Sequence, residues 1–456
     1  MEEQLSNNSK SDKINFIALL VVMVTAFILR LAMVIPGFIN PTKPIYHRPD
    51  TPGYDEVAKI LAKDFVFTGT DRPVGFPAIE AVVYFITGIY NHTLWISLLM
   101  VIISTVTVYF VYLAGKEYHS CKAGLVASSL FALNITAIAN APMILSDTYF
   151  GLFAAVQFYL FVKFLKVKQY KYFYWSIFVA AIAVLIRPIN LVWVMPASFI
   201  MCCTQGVGSW KKKFSSVVIA FAIYGVVLLP YMGYNAARDL GWCIDTNTGA
   251  MVHQNGAMIL AEVKGTDFES EKAIIIAEND KEFLDTKKYP TRAAQEKYRI
   301  KKYRKIVLAH PFIWLKQQFK YQILIPDVPT FFEIFGVTSA GRGTMGVMAK
   351  EGVWKAVVYY FDGKIYLPLM LIPFLLVIVV TYVGCMGKLI FDIKNIKEYY
   401  LELLLFLGFA EYYFFLPGAI TAPRYQIPAL PIITILASIT ILYFVKYCKE
   451  KFAKQK

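Results

Sequence analysis

Apolar stretches of about twenty residues recur along this chain, each long enough to cross the ~30 Å hydrocarbon core of a bilayer as a helix. They lie near 14–36, 93–115, 123–141, 148–165, 172–186, 189–204, 214–234, 365–387, 398–417 and 425–446. Within lipid the backbone must satisfy its own polar groups, so runs of this length read as helices. Of the 456 residues, 57% are hydrophobic, which is more than a soluble domain carries. The sequence therefore predicts an all-α polytopic membrane protein with about ten transmembrane helices, in a range of roughly 8–13. The two halves that flank Arg187 are the shortest.

Charge sorts the turns between these runs. With the N-terminus inside, the inner segments hold Lys10 and Lys13, then Lys116 and Lys122, then Lys163, Lys166, Lys168 and Lys171. Later ones hold Lys211 to Lys213, then Lys388, Lys394 and Lys397, then Lys446, Lys449, Lys451, Lys454 and Lys456. This is the positive-inside pattern, and it sets both termini in the cytoplasm. The formal charge of +15 is then mostly a topology signal. No basic face with interleaved aromatics sits in a soluble domain, so no nucleic acid is expected as a partner. The first apolar run is too long for a signal-peptide core and no small-residue cleavage pattern follows it, so it is expected to stay as an anchor. Cys121, Cys202, Cys203, Cys385 and Cys448 fall near inner span ends and Cys243 alone falls outside, which predicts no disulfide framework.

The division that follows is a cytoplasmic tail at 1–13, a transmembrane module at 14–234 that includes a first outer loop at 37–92, an extracytoplasmic segment at 235–364, C-terminal transmembrane helices at 365–446, and a basic cytoplasmic tail at 447–456. The first loop is proline-rich. Its residues 53–63 place Val57, Ile60 and Leu61 on one helical face, and 76–90 form a second apolar stretch, so both suit helices lying in the interface plane. The outer segment at 235–364 is the one part large enough for a soluble domain, with charged stretches near 268–284 and 292–306. From His310 to Ile325 it turns apolar and aromatic, with Phe312, Trp314, Phe319 and Tyr321, again like an interfacial helix.

Against the lysine-rich inner turns, the same threading places Asp50, Asp147, Arg187 and Arg424 together at the outer face. Asp50 stands between Pro49 and Pro52, which restrict the backbone on both sides. Asp147 opens the fourth span. For both, a helix-capping role is the plain alternative to a functional one. Arg187 precedes Pro188 at the margin of an apolar run, where an arginine costs ~3 kcal/mol on insertion scales and calls for a polar cavity, an ionic ligand or snorkelling to the interface. Arg424, in Pro423-Arg424-Tyr425, starts the last span, and its planar fork suits phosphate oxygens. Glu411 is a candidate buried partner for it. Arg72-Pro73-Val74-Gly75-Phe76-Pro77 forms a rigid turn into an apolar helix, readable as architecture or as site. Arg30 and Glu80 are further charges at membrane depth or its edge.

Taken in order, Asp50 with Tyr54, Arg72-Pro-Val-Gly-Phe-Pro, Leu145-Ser-Asp-Thr, Ile186-Arg187-Pro188 and Pro423-Arg424-Tyr425 resemble the GT-C class of membrane glycosyltransferases. The resemblance is to the bacterial branch related to protein O-mannosyltransferases and lipid A aminoarabinose transferases. It covers about 14–235 and, by pattern, the last two spans. It implies a multi-pass enzyme of a bacterial plasma membrane. Such an enzyme moves a sugar, with inversion, from a polyprenyl-phosphate donor to a glycan, lipid or protein acceptor at the outer face. Asp50 would then be the base, Asp147 would orient the acceptor or a metal, and Arg424, Arg187 and Arg72 would hold the donor phosphate, with Tyr54, Tyr425 and Glu411 in support. Departures from the family pattern are Val74 for a common proline, Phe76 for a tyrosine, and Thr51 after Asp50, with Asp55 and Glu56 as the next acids. If that pair faces the cleft, the base lies there instead. The resemblance makes no cofactor certain; a divalent metal could sit between Asp50 and Asp147, though two carboxylates rarely suffice, and His47, His92, His119, His253 and His310 lack ligand spacing. A carrier or flippase of lipid-linked sugars, or a polysaccharide polymerase or ligase, would share the lipid-phosphate chemistry. The former should place its charges near the midplane and show repeat symmetry.

Overall fold

The computed structural model describes residues 2–319, 325–336, 344–418 and 422–453, and those residues form helices and turns throughout. The chain opens with α1 (Glu2–Ala32) and the short α2 (Ile35–Ile39). The first loop then carries α3 (Pro52–Asp64) and α4 (Gly75–Thr87), which pack on each other. Next come α5 (Leu94–Tyr118), α6 (Cys121–Ala132), α7 (Ile135–Ala139), α8 (Ser146–Val167), α9 (Tyr170–Val184), α10 (Val194–Cys203) and α11 (Trp210–Ala237). Four helices follow: α12 (Thr248–Lys264), α13 (Phe268–Phe283), α14 (Arg292–Ala309) and α15 (Pro311–Gln318). After them lie α16 (Val328–Ile334), α17 (Thr344–Glu351), α18 (Val353–Tyr360), α19 (Tyr366–Lys394), α20 (Ile396–Phe406), α21 (Tyr412–Phe415) and α22 (Leu430–Ala453).

Among the described residues, six helices are long and apolar enough to cross a membrane: Lys13–Ala32 of α1, then α5, α8, α11, α19 and α22. Shorter apolar helices accompany them at Gly75–Thr87, Cys121–Ala132, Tyr170–Val184 and Pro188–Cys203. Half or more of the apolar windows of α5, α8 and α22 is buried, against 17%, 22% and 28% for α1, α11 and α19. The first three are therefore the bundle's centre, and the other three offer their apolar side chains outward, as lipid requires.

Local chemistry explains where expected spans break. The run at 123–141 stops at Ala132 because the Asn134 side chain caps α7, accepting from Ala137 N at 3.1 Å. The run at 189–204 begins with a 3-10 turn, Pro188–Val192, imposed by Pro188 after the extended Arg187. The run at 398–417 contains a π turn, Leu407–Glu411, whose Gly408 carbonyl accepts from Trp193 Nε1 at 2.9 Å. Small residues set the closest helix approach: a Cβ on Gly115 of α5 would sit 2.8 Å from Gly124 Cα of α6. Elsewhere, Phe158 and Phe161 of α8, Phe173 of α9, Trp193 and Phe409 interlock edge-on, at about 0.5–1.5 kcal/mol per pair beyond area.

Arg30 is wholly buried and answers its sequence question. Its Nε donates to Ser104 Oγ at 2.7 Å, Nη1 to the Ala26 and Ala132 carbonyls at 3.2 and 3.1 Å, and Nη2 to the Phe131 carbonyl at 3.4 Å. Ala132 ends α6, so the cation meets the negative end of a helix dipole.

The segment that carries α12–α15 is tied back to the first loop. Arg238 donates to the Phe67 and Gly69 carbonyls, each at 2.6 Å, and Thr246 N donates to the Thr70 carbonyl at 3.1 Å. Arg292, at the start of α14, pairs with Asp71, the neighbour of Arg72. Phe312 and Phe319 are exposed on and beside α15; Tyr321, Lys454 and Lys456 lie outside the described residues.

Candidate active site

Neither aspartate is used as a helix cap. Thr51 is the N-cap of α3, and its hydroxyl accepts from Arg48 N and donates to the Ile144 carbonyl, both at 2.9 Å, so the first loop is fastened to the segment before α8. Leu145 is the N-cap of α8, and no side chain caps either helix. That leaves Asp50 and Asp147 free for other company.

Their company is arginine. Asp50 Oδ1 accepts from Arg72 Nη2 at 2.7 Å and Asp50 Oδ2 from Arg424 Nη2 at 3.3 Å. Asp147 Oδ1 pairs with Arg187 Nη1, and Asp147 Oδ2 lies 3.3 Å from Arg424 Nε. The result is one chain of alternating charge, Arg72–Asp50–Arg424–Asp147–Arg187, drawn from four distant parts of the sequence. Arg424 Nε is buried yet not aligned to hydrogen-bond with Asp147, so one guanidinium N–H is unspent. Burial pulls Arg424 down, and Asp147, Tyr425 and Asp50 together raise it above its ordinary value, so it stays charged.

Aromatic rings close the cluster. The Arg187 and Arg424 guanidiniums lie 4.8 and 5.3 Å from the Tyr425 ring centroid, and Arg72 lies 4.9 Å from that of Tyr54. Tyr54 OH sits 3.3 Å from Ser146 Oγ and 3.4 Å from Arg72 Nη1. Burial raises this phenol, with Arg72 and Arg187 pulling it back, so it remains an O–H.

Backbone contacts hold the arginines in register. Gly75 N donates to the Leu185 carbonyl at 2.7 Å, joining the Arg72 turn to the Arg187 turn, and a Cβ on Gly75 would meet that oxygen at 2.6 Å. Asn190, buried, donates to Gln157 Oε1 at 3.0 Å and accepts from Tyr413 OH at 2.9 Å and, through its carbonyl, from Tyr224 OH at 3.1 Å. It thereby fixes the turn after Arg187. The sequence reading carried Ser146 only inside the Leu145-Ser-Asp-Thr motif and did not single out Asn190. The buried asparagine in Arg187-Pro-Ile-Asn190, inside an apolar run, was the available signal.

The other expected residues fall elsewhere. Asp55 faces α4 behind the cluster, bonded to Tyr84 OH and to Lys59 Nζ, the latter at 2.7 Å, and Glu56 is exposed. Glu80 is wholly buried without a hydrogen bond to either oxygen, a place where a charged carboxylate would be costly. Glu411 lies half-buried in the π turn, while the carboxylates on Arg424 are Asp50 and Asp147. The site does not suit a divalent cation. All four oxygens of its two aspartates already face guanidinium nitrogens, and among the described residues no three His, Cys, Asp or Glu side chains converge.

Residues 71–232 match the family model described as dolichyl-phosphate-mannose-protein mannosyltransferase. No curated protein matches the chain. Among solved structures it is similar to the archaeal oligosaccharyltransferase AglB from Archaeoglobus fulgidus, in complex with an inhibitory peptide and a dolichol-phosphate, at 12% identity and TM-score 0.49, over 96% of this chain and 52% of that one. It is also similar to ArnT from Cupriavidus metallidurans, bound to undecaprenyl phosphate, at 11% identity and TM-score 0.45, over 93% of this chain and 59% of that one. The chain thus spans between half and three-fifths of the length of these structures. The family match covers Arg72, Asp147 and Arg187 together, and the chain resembles the GT-C membrane glycosyltransferases to which its motif order points.

Proposed function

We propose that this chain is a membrane glycosyltransferase that takes a sugar from a polyprenyl-phosphate carrier and passes it, with inversion, to an acceptor hydroxyl. The observation that carries the reading is the charge imbalance of the cluster: three guanidiniums surround two carboxylates at a partly open site. An uncompensated positive charge with an unspent N–H favours a phosphate, and favours it most as charge builds on the departing phosphate oxygen. The matched family model names a lipid-phosphate sugar in its description, which agrees.

Exposure separates the two acids. The Asp50 side chain is 37% exposed and that of Asp147 only 5%. Asp50 can reach an acceptor hydroxyl and draw its proton as the oxygen attacks the anomeric carbon. Asp147 is enclosed between Arg187 and Arg424 and positions them. Both Asp50 oxygens are held by guanidiniums, so the donor should bind first: its phosphate competes for Arg424 and releases one Asp50 oxygen. In this reading the site faces the outside of a bacterial plasma membrane, with both chain termini in the cytoplasm.

The test uses purified wild type and Asp50→Asn in detergent with a panel of polyprenyl-phosphate sugars, scoring free polyprenyl phosphate. Release by wild type that falls by about 10²–10⁴ in the folded variant supports the assignment. Release unaffected by the substitution sinks Asp50 as base. No release with any donor, with the lipid still protecting the protein against heat, would turn the reading toward transport.

A further inference from the structure

One buried acid has no part in the Asp50 cluster. Glu80 lies on α4, its side chain is wholly buried, and neither of its oxygens has a hydrogen-bond partner. A carboxylate in that position carries a desolvation cost that the neutral acid largely escapes.

The facing helix makes the cost larger. Asp55 of α3 is buried within electrostatic reach of Glu80, and both Asp55 oxygens are taken, one by Tyr84 OH and the other by Lys59 Nζ at 2.7 Å. Burial, with Asp55 adding to it and Lys59 opposing, raises Glu80 well above the ordinary carboxylate range. Other ionisable groups nearby have their own places. Tyr84 is held as an O–H by burial and by Asp55. Tyr90 stacks on Tyr84 at 5.3 Å, and Lys63 lies 4.7 Å from the Tyr90 ring centroid. The His47 ring sits 3.2 Å from Thr93 Oγ1, and burial lowers it, so it gains charge only on the acid side. Helix α5, which also packs on α4, has no ionisable side chain before Tyr109.

This acid pair sits where movement would matter. Helix α3 follows Asp50 directly after its cap Thr51, and α4 follows Arg72 after Pro73 and Val74. Asp55 lies ~5 Å along α3 from its first residue and Glu80 ~8 Å along α4 from its own, at about 1.5 Å per residue. The Asp50–Arg72 pair at 2.7 Å and the edge contact of Tyr54 with Phe76 at 5.0 Å close that same end of the two helices.

We propose that Glu80 is a positioning residue for the Asp50 cluster and a brake on it at high pH: as the neutral acid it lets α3 close on α4 and hold Asp50 against Arg72, and once ionised it drives the two helices apart. The unfolded chain releases this proton near ~4.3, so the helix pair is most stable below that pH and loses stability as pH rises through the folded value. The effect on rate rests on the transferase reading; the parting of the helices does not. In that reading the departing phosphate is an anion that needs no general acid, arginine does not titrate, and Tyr54 stays an O–H, so an alkaline limb in the rate has no owner in the cluster.

The test compares purified full-length wild type, Glu80→Gln and Glu80→Leu in detergent from pH 5 to 10. Two readouts are taken: release of polyprenyl phosphate from the donor panel, and hydrogen exchange of α3 and α4 relative to α8, corrected for intrinsic rates. Wild-type release should fall by about tenfold per pH unit once Glu80 is largely ionised, and exchange in α3 and α4 should quicken over the same interval. Both variants should keep release at the lower pH and lose the fall, since neither an amide nor an alkyl chain has a proton to give up. A fall that survives both substitutions overturns the inference, as does flat exchange of α3 and α4 in wild type. Loss of release in Glu80→Gln at every pH, with α3 and α4 still protected, overturns it in favour of a catalytic acid. Exchange that quickens with pH in wild type and not in the variants, with no donor cleavage by any of them, would leave the helix-pair switch standing and fail the transferase reading.

Discussion

Arg30 and Arg424 are both withdrawn from water, and the difference in what surrounds them separates scaffold from site. Arg30 spends its guanidinium on one hydroxyl and three backbone carbonyls, at the end of a helix that cannot move away. Arg424 spends its own on two carboxylates that other arginines also claim, and its Nε has no hydrogen bond. Backbone carbonyls are fixed, neutral acceptors, and the cation they hold is wholly buried, out of reach of a ligand. Three arginines on two aspartates leave one positive charge over, and the arginine side chains there are about a fifth to a quarter exposed. Burial alone therefore does not mark a functional arginine; a shared and incomplete set of partners does.

Exchanging the two arginines' fates would break that comparison most sharply. Arg424→Ala should leave the protein folded and monodisperse while cutting kcat/KM for donor cleavage by about 10²–10³, since it removes a donor aimed at the leaving oxygen. Arg30→Leu should do the reverse. It strips the Ala132 and Phe131 carbonyls of a charged partner, at a cost of about 3 kcal/mol or more, which thermal unfolding in detergent would show as a lower Tm. Donor affinity per folded molecule should stay as it was. If Arg424→Ala instead unfolds the protein and Arg30→Leu abolishes turnover, the distinction fails.

The sequence carried much of this and not all of it. Apolar runs announced the long helices α5, α8 and α11 within a few residues, and α19 and α22 with C-terminal ends about seven residues further on, because length and hydropathy decide that a spanning helix exists and not where it stops. Breaks inside runs were hidden. Asn134 and Pro188 end helices by local hydrogen bonding and backbone restriction, and a hydropathy window averages over both. Asp50, Asp147, Arg187 and Arg424 could be grouped from topology, since lysine marked one face and these residues the other. Their pairing could not be read, because which arginine meets which oxygen depends on helix rotation. Arg30 had no legible partner for a related reason: its acceptors are main-chain carbonyls, and those carry no sequence signal. Asp55 and Glu56 were separated only by the helix face that α3 turns to α4.

Gly75 tests whether the cluster's geometry, beyond its charges, belongs to the site side of the comparison. Its backbone N–H holds Leu185, and a methyl group there would enter the Leu185 carbonyl at 2.6 Å. Gly75→Ala must push the Arg72 turn away from the Arg187 turn, an overpacking cost of about 1–3 kcal/mol. Turnover should fall by tenfold or more while overall helix content by circular dichroism is retained, because the displaced groups are the arginines themselves. Unchanged turnover would mean that Arg72 and Arg187 need not be in register.

The smallest effect lies outside the cluster, in α12–α14, where a neutral histidine plays the part that Arg30 plays in the bundle. Asn279 Nδ2 donates to His253 Nε2 at 2.7 Å, and the Asn279 oxygen accepts from Lys302 at 3.2 Å, which fixes the amide's orientation. Burial lowers His253 to about 4, with Arg299 and Lys302 adding to it and Asp280 opposing. An unfolded histidine titrates near ~6.5, so between these values the unfolded state binds more protons and folding weakens as pH falls. Above that window the contribution is fully present. Hydrogen exchange in α12–α14 should therefore speed up, relative to the bundle, as pH drops from 7 to 5, after correction for intrinsic rates. His253→Gln should flatten that dependence, because an amide keeps an acceptor for Asn279 and has no proton to gain. A dependence that survives the substitution would place the titrating group elsewhere and remove the parallel with Arg30.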